Sequence, residues 1–131
     1  MTNKLKGVFQ ITGWDESPYL ESGDGSKQSS ANVTQSYTGD IEGSSEINYL
    51  MAYQSKDSAL FVGFETFTGT IAGKNGSVIF QHNGTFENGI ASSKFVIVMN
   101  SGKGELLNIT GIGSFKSGEN GQANYALEVN I

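Results

Sequence analysis

Apolar and polar residues alternate with a period of two along most of this chain. From Phe61 the sequence reads Phe-Val-Gly-Phe-Glu-Thr-Phe-Thr, and from Ser77 it reads Ser-Val-Ile-Phe-Gln-His-Asn-Gly-Thr-Phe. Such alternation marks half-buried β-strands, and no segment keeps a helical period over three turns. Eight strands are predicted, over residues 5–14, 31–39, 42–54, 59–71, 77–86, 90–99, 106–115 and 122–130. The pairs Asn75-Gly76, Asn88-Gly89 and Asn120-Gly121 are hairpin signals, because both residue types accept positive φ. Residues 55–58 read as a further tight turn, and residues 21–30 as one long, mobile loop. Eight hairpin-linked strands must bury an apolar face. An antiparallel β-barrel closed on itself does so without an exposed edge, and a β-sandwich is the alternative.

Register decides which residues enter that barrel. With Lys74 and Asn75 as a two-residue loop, Gly73 faces Gly76, Phe67 faces His82 and Glu65 faces Gly84. One face then carries Phe61, Phe67, Val78 and Phe80 together with Glu65 and His82, the chain's only histidine. This face is the more apolar and is expected to point inward. Glu65 and His82 become diagonal cross-strand neighbours in the interior. A buried carboxylate is costly unless paired, so the two form either a structural ion pair or a general acid/base couple. The strand before them adds Ile47, Tyr49, Met51 and Tyr53 to the interior if the turn at 55–58 has an odd number of loop residues or a bulge. Tyr49 and Tyr53 then bring phenol hydroxyls into the lumen, and each needs a partner. Trp14 and Tyr19 flank Asp15-Glu16-Ser17-Pro18 and form a lid or a plug at one end.

Composition narrows the field. The chain has 131 residues, enough for one domain spanning 1–131, and no cysteine, which removes thiol catalysis and thiolate metal sites. Eighteen glycines against one proline suit curved strands better than a linker. The net charge is −5 and the basic residues are scattered, so nucleic acid is not an expected partner. No apolar run approaches a membrane span, and the N-terminus lacks a secretory pattern, which predicts a cytoplasmic protein. No metal-ligand, EF-hand or P-loop spacing is present, so neither metal nor cofactor is expected.

Several phrases carry a resemblance across nearly the whole chain. They are residues 12–19 (Thr-Gly-Trp-Asp-Glu-Ser-Pro-Tyr), 37–43 (Tyr-Thr-Gly-Asp-Ile-Glu-Gly), 49–53 (Tyr-Leu-Met-Ala-Tyr), 61–70 and 80–86. Together they resemble a small bacterial family of unknown function. The resemblance implies an eight-stranded barrel similar to that of allene oxide cyclase, a fold shared with dirigent proteins. Allene oxide cyclases hold a fatty-acid epoxide in an apolar lumen, and dirigent proteins steer phenoxy-radical coupling. No residue here matches either active site, so the resemblance implies fold and not activity.

Three functions follow as expectations. The first is a lumen that binds a small apolar or amphipathic molecule, contacted by Glu65, His82, Tyr49, Tyr53, Phe67, Phe80 and Trp14. The second is an isomerase or cyclase-like enzyme in which Glu65 or His82 moves a proton. The third is a filled barrel that acts through its outer surface, for example as a homo-oligomer, with Phe64 and Ile79 facing out.

Overall fold

A computed structural model describes residues 2–118 and 120–131. Its strands are β1 (Thr2–Glu21), β2 (Lys27–Gly39), β3 (Ile41–Ser55), β4 (Ser58–Ile71) and β5 (Lys74–Glu87). They continue as β6 (Ile90–Ile97), β7 (Lys103–Gly104), β8 (Thr110–Ser117) and β9 (Gln122–Asn130). Neighbours pair antiparallel in the order β4-β3-β2-β1-β9-β8-β6-β5, and β5 pairs back onto β4. The sheet therefore closes into an eight-stranded barrel, with β7 as a short extra strand on β5, and the sandwich is set aside. Among the described residues no helix is long and apolar enough to cross a membrane.

The alternation predicts the inside of this barrel correctly although one turn is elsewhere. The β4–β5 hairpin turns at Ala72-Gly73, both at positive φ, so Ile71 pairs with Lys74 and Glu65 with Phe80. Asn75 and Gly76 lie inside β5 instead of in the turn. Crowding at the glycines favours this register. A Cβ at Gly76 would sit 2.0 Å from the Lys103 carbonyl oxygen, and one at Gly69, directly opposite, 2.2 Å from that of Glu42. The slip from the expected pairing is four residues. An even slip leaves every side chain on its predicted face, and Glu65 and His82 remain diagonal neighbours, now with His82 opposite Gly63.

Other boundaries move for identifiable reasons. The expected loop at 21–30 shrinks, because β1 runs on to Glu21 and β2 starts at Lys27, with Ser22 N donating to Ser26 O at 2.9 Å. Pro18 is tolerated there because β1 pairs with β9 only through Gln10, so beyond it one edge of β1 needs no donor. The register shift between Tyr53 and Ser55 is the bulge that turns Ile47, Tyr49 and Met51 inward. Strand β8 starts at Thr110 and not near 106. The preceding connection instead buries Leu106 and Ile109, which close one end of the barrel.

Inward glycines make room for rings. Phe61 pairs with Gly84, Phe95 with Gly113, Tyr49 with Gly63 and Tyr125 with Gly7. A Cβ on Gly84 would meet the Phe61 ring at 2.3 Å, and one on Gly113 the Phe95 ring at 2.5 Å. Each ring thus lies across the strand opposite it, and the aromatic side chains fill the barrel from wall to wall. Eight-stranded barrels have interiors that side chains can just fill. This one is filled.

Candidate functional site

The centre of the packed interior is polar. Strand β4 delivers Glu65 and β5 delivers His82, 0% and 2% exposed. His82 Nε2 lies 2.5 Å from Glu65 Oε1. The other carboxylate oxygen, Oε2, accepts hydrogen bonds from Ser45 Oγ at 2.6 Å, from Gln35 Nε2 at 3.3 Å and from the Tyr37 hydroxyl. On the far side of the imidazole, Nδ1 lies 2.9 Å from Ser93 Oγ. That hydroxyl donates to the Lys94 carbonyl oxygen, which leaves Nδ1–H as the donor to Ser93. Nε2 and Oε1 thus form one buried pair, and three donors converge on Oε2. Among the described residues no buried side-chain nitrogen or oxygen lacks a partner.

Rings seal this network. The imidazole sits between Phe95, at 4.9 Å between centroids, Phe115 at 5.6 Å and Tyr49 at 5.8 Å. Burial, then the charge of Glu65, pushes the Tyr37 hydroxyl well above its usual range, and the same two causes raise Tyr49. Phe67 and Phe80 are 0% and 1% exposed and pack on each other at 6.0 Å. Both ring nitrogens of His82 are engaged, and aromatic rings pack around the imidazole. The arrangement suits a satisfied structural pair.

Tyr53, expected in the lumen, and Trp14, expected at one end as a lid or plug, belong to a separate cluster. Tyr53 is only partly buried and its hydroxyl donates to Glu16 Oε2 at 2.9 Å, not into the lumen. Trp14 is 49% exposed and its indole N–H donates to Glu16 Oε1 at 3.1 Å. Ser29 adds a 2.6 Å hydrogen bond to the same carboxylate, and the Lys27 ammonium lies 4.6 Å from the Tyr53 ring centroid. Burial alone would raise the Glu16 pKa. The hydrogen bonds from Ser29, Tyr53 and Trp14, with the charge of Lys27, outweigh it and hold the group below its ordinary value. Tyr53 is pushed up to about 12 by burial and by Glu16.

A depressed carboxylate stabilises the fold above its unfolded pKa and loses that contribution as pH falls through the folded value. Glu16→Gln should therefore lower stability at pH 7, and the gap from wild type should close below about pH 4. Solvent screening limits the effect to about 1 kcal/mol or less. Thermal melts of both proteins from pH 3 to 8 measure it, and a gap that widened with acid would contradict the assignment.

Trp14 also borders the opening opposite the Leu106 plug. A cavity of about 70 Å3 lies there, lined by Phe9, Trp14, Met51, Phe61, Phe86 and Ala91 among others. Gln35 and Tyr49 join that lining and connect it to the polar centre, since Gln35 reaches Glu65 and Tyr49 stacks on His82. A larger trough of about 770 Å3 lies on the outer wall between exposed Lys4 and Lys94, away from this centre. Glu16, Gln35, Tyr37, Ser45 and Ser93 are the site residues that sequence reasoning did not single out. Alternation alone puts Gln35 and Tyr37 on one face of β2, which was the available signal.

Fold and site together define a closed antiparallel barrel with a sealed polar centre and one apolar mouth. The chain belongs to the DUF3224 family, described as a protein of unknown function, whose pattern matches residues 5–129. A solved structure of a DUF3224 protein of unknown function from Shewanella oneidensis MR-1 is similar, with 27% sequence identity and a TM-score of 0.79. The match covers 100% of this chain and 98% of that one. No curated protein matches the chain.

Proposed function

We propose that this barrel is a cytoplasmic binding protein that takes the apolar end of a small amphipathic molecule into its Trp14 mouth, without a cofactor. The observation that carries this reading is the mouth cavity itself, apolar on its walls and open to the outside. At about 70 Å3 it is well below the roughly 300–1,000 Å3 of sites that enclose a whole ligand. It therefore suits a short alkyl end, with the rest of the molecule at the rim. The polar groups along the lining are Gln35, Tyr49, Ser117 and Gln122, all uncharged, which favours a hydroxyl, carbonyl or amide head over a charged one. In this reading Glu65 and His82 hold the floor of the mouth and do not touch the ligand.

Trp14 is the only tryptophan, so its emission reports the mouth directly. Titration with neutral alcohols from hexanol to decanol should give a saturable blue shift. Ala91→Leu, which fills the cavity from β6, should abolish the shift while leaving the fold intact. Flat emission in the wild type, or a shift that survives Ala91→Leu, would sink the proposal.

A further inference from the structure

The outer wall of β3 and β4 carries an apolar face that nothing in the fold covers. Along β4 the outward residues are Leu60, Val62, Phe64, Thr66 and Thr68, without one charge among them. Leu50 pairs with Val62 on the neighbouring strand, and Leu20 extends the face from the end of β1. Leu20, Leu50, Leu60, Val62 and Phe64 are each about half exposed, at 49–56%. Scattered exposed apolar residues are ordinary, but Leu60, Val62 and Phe64 occupy consecutive outward positions on β4, with Leu50 beside them on β3. With Tyr19 beside them, and on the order of 100 Å2 exposed on each side chain, the face presents roughly 600 Å2 of apolar surface, at the upper end for a monomer. Its uncharged neighbours Gln28, Asn48 and Gln81 bring it near the roughly 800 Å2 per partner of a standard interface.

We infer that this face is a two-fold interface with a second copy of the chain. The charge pattern selects that occupant. Nucleic acid or an anionic membrane would need cations here, and these positions carry none; a basic partner would find a single carboxylate, Glu46 opposite Thr66, at the rim of the apolar strip. Two copies of a chain of net charge −5 repel each other least where the facing surfaces are uncharged. Strand addition is closed off as well, because β4 is hydrogen-bonded on both sides, to β3 and β5. Two copies would therefore meet face against face. An axis near Val62 sets each Phe64 over the other copy's groove between Tyr19 and Leu60, which has a volume of about 170 Å3.

Sedimentation velocity of the full chain tests this. At about 100 µM, where even a micromolar pair forms, the expected mass is twice 13.9 kDa. Val62→Lys and Phe64→Gln should each return it to a monomer with an unchanged far-ultraviolet circular dichroism spectrum. Ile112→Lys, in the trough on the opposite wall, should leave the dimer intact. If Val62→Lys unfolds, Phe64→Gln decides. A monomeric wild type, a trimer or larger ring, or a dimer that survives Phe64→Gln would overturn the inference.

Discussion

Glu65→Ala is expected to cost about 3–5 kcal/mol of folding stability, because it strands a buried network instead of one contact. His82, Ser45, Tyr37 and Gln35 all direct polar atoms at this carboxylate. Removing it leaves them unpaired in a space that water does not reach. For a chain of this length the loss corresponds to a drop of roughly 10–20 °C in Tm. Glu65→Gln should cost less, since an amide keeps the shape and an acceptor oxygen for the donors around Oε2. Chemical denaturation of the three proteins gives the ranking. A Glu65→Ala variant as stable as wild type would mean the carboxylate is not part of the scaffold.

Phe67→Ala and Phe80→Ala should each cost a further about 3–5 kcal/mol, the penalty for emptying a packed aromatic site. Both rings are essentially inaccessible and pack on each other inside the closed wall. Side chains lining an open ligand lumen would have slack around them, and their truncation would change affinity far more than stability. The same denaturation experiment therefore separates core from pocket. Losses under 1 kcal/mol at both positions would reopen the lumen as a binding space.

Much of this interior was legible because the β period is short and unforgiving. Alternation alone put Glu65 and His82 on the same face as Phe67 and Phe80. That survived a misplaced turn only because the slip was even. The turn itself was misread for a tertiary reason. Asn75-Gly76 is the better local turn, but Gly76 is needed where the 103–104 strand crosses, and Gly69 where β3 presses close. Tyr53 was expected in the lumen, and its hydroxyl turns instead to Glu16, which lies on a stretch of β1 beyond the predicted strand end at residue 14. The donors around Glu65 were hidden for a different reason. Gln35, Tyr37 and Ser45 come from β2 and β3, and only the pairing register across those strands and β4 brings them to one carboxylate. The end plug at Leu106 and Ile109 sits on irregular backbone, where periodicity carries no signal.

The central claim is that the barrel is sealed at Glu65 and His82 and receives ligand only at its Trp14 mouth. Amide and side-chain chemical shifts mapped by NMR during octanol titration test it most directly. Shifts should concentrate on Trp14, Met51, Phe61, Phe86 and Ala91, and fade to nothing at Phe67 and Phe80. A perturbation centred on His82 and Phe80, with Trp14 unmoved, would contradict it.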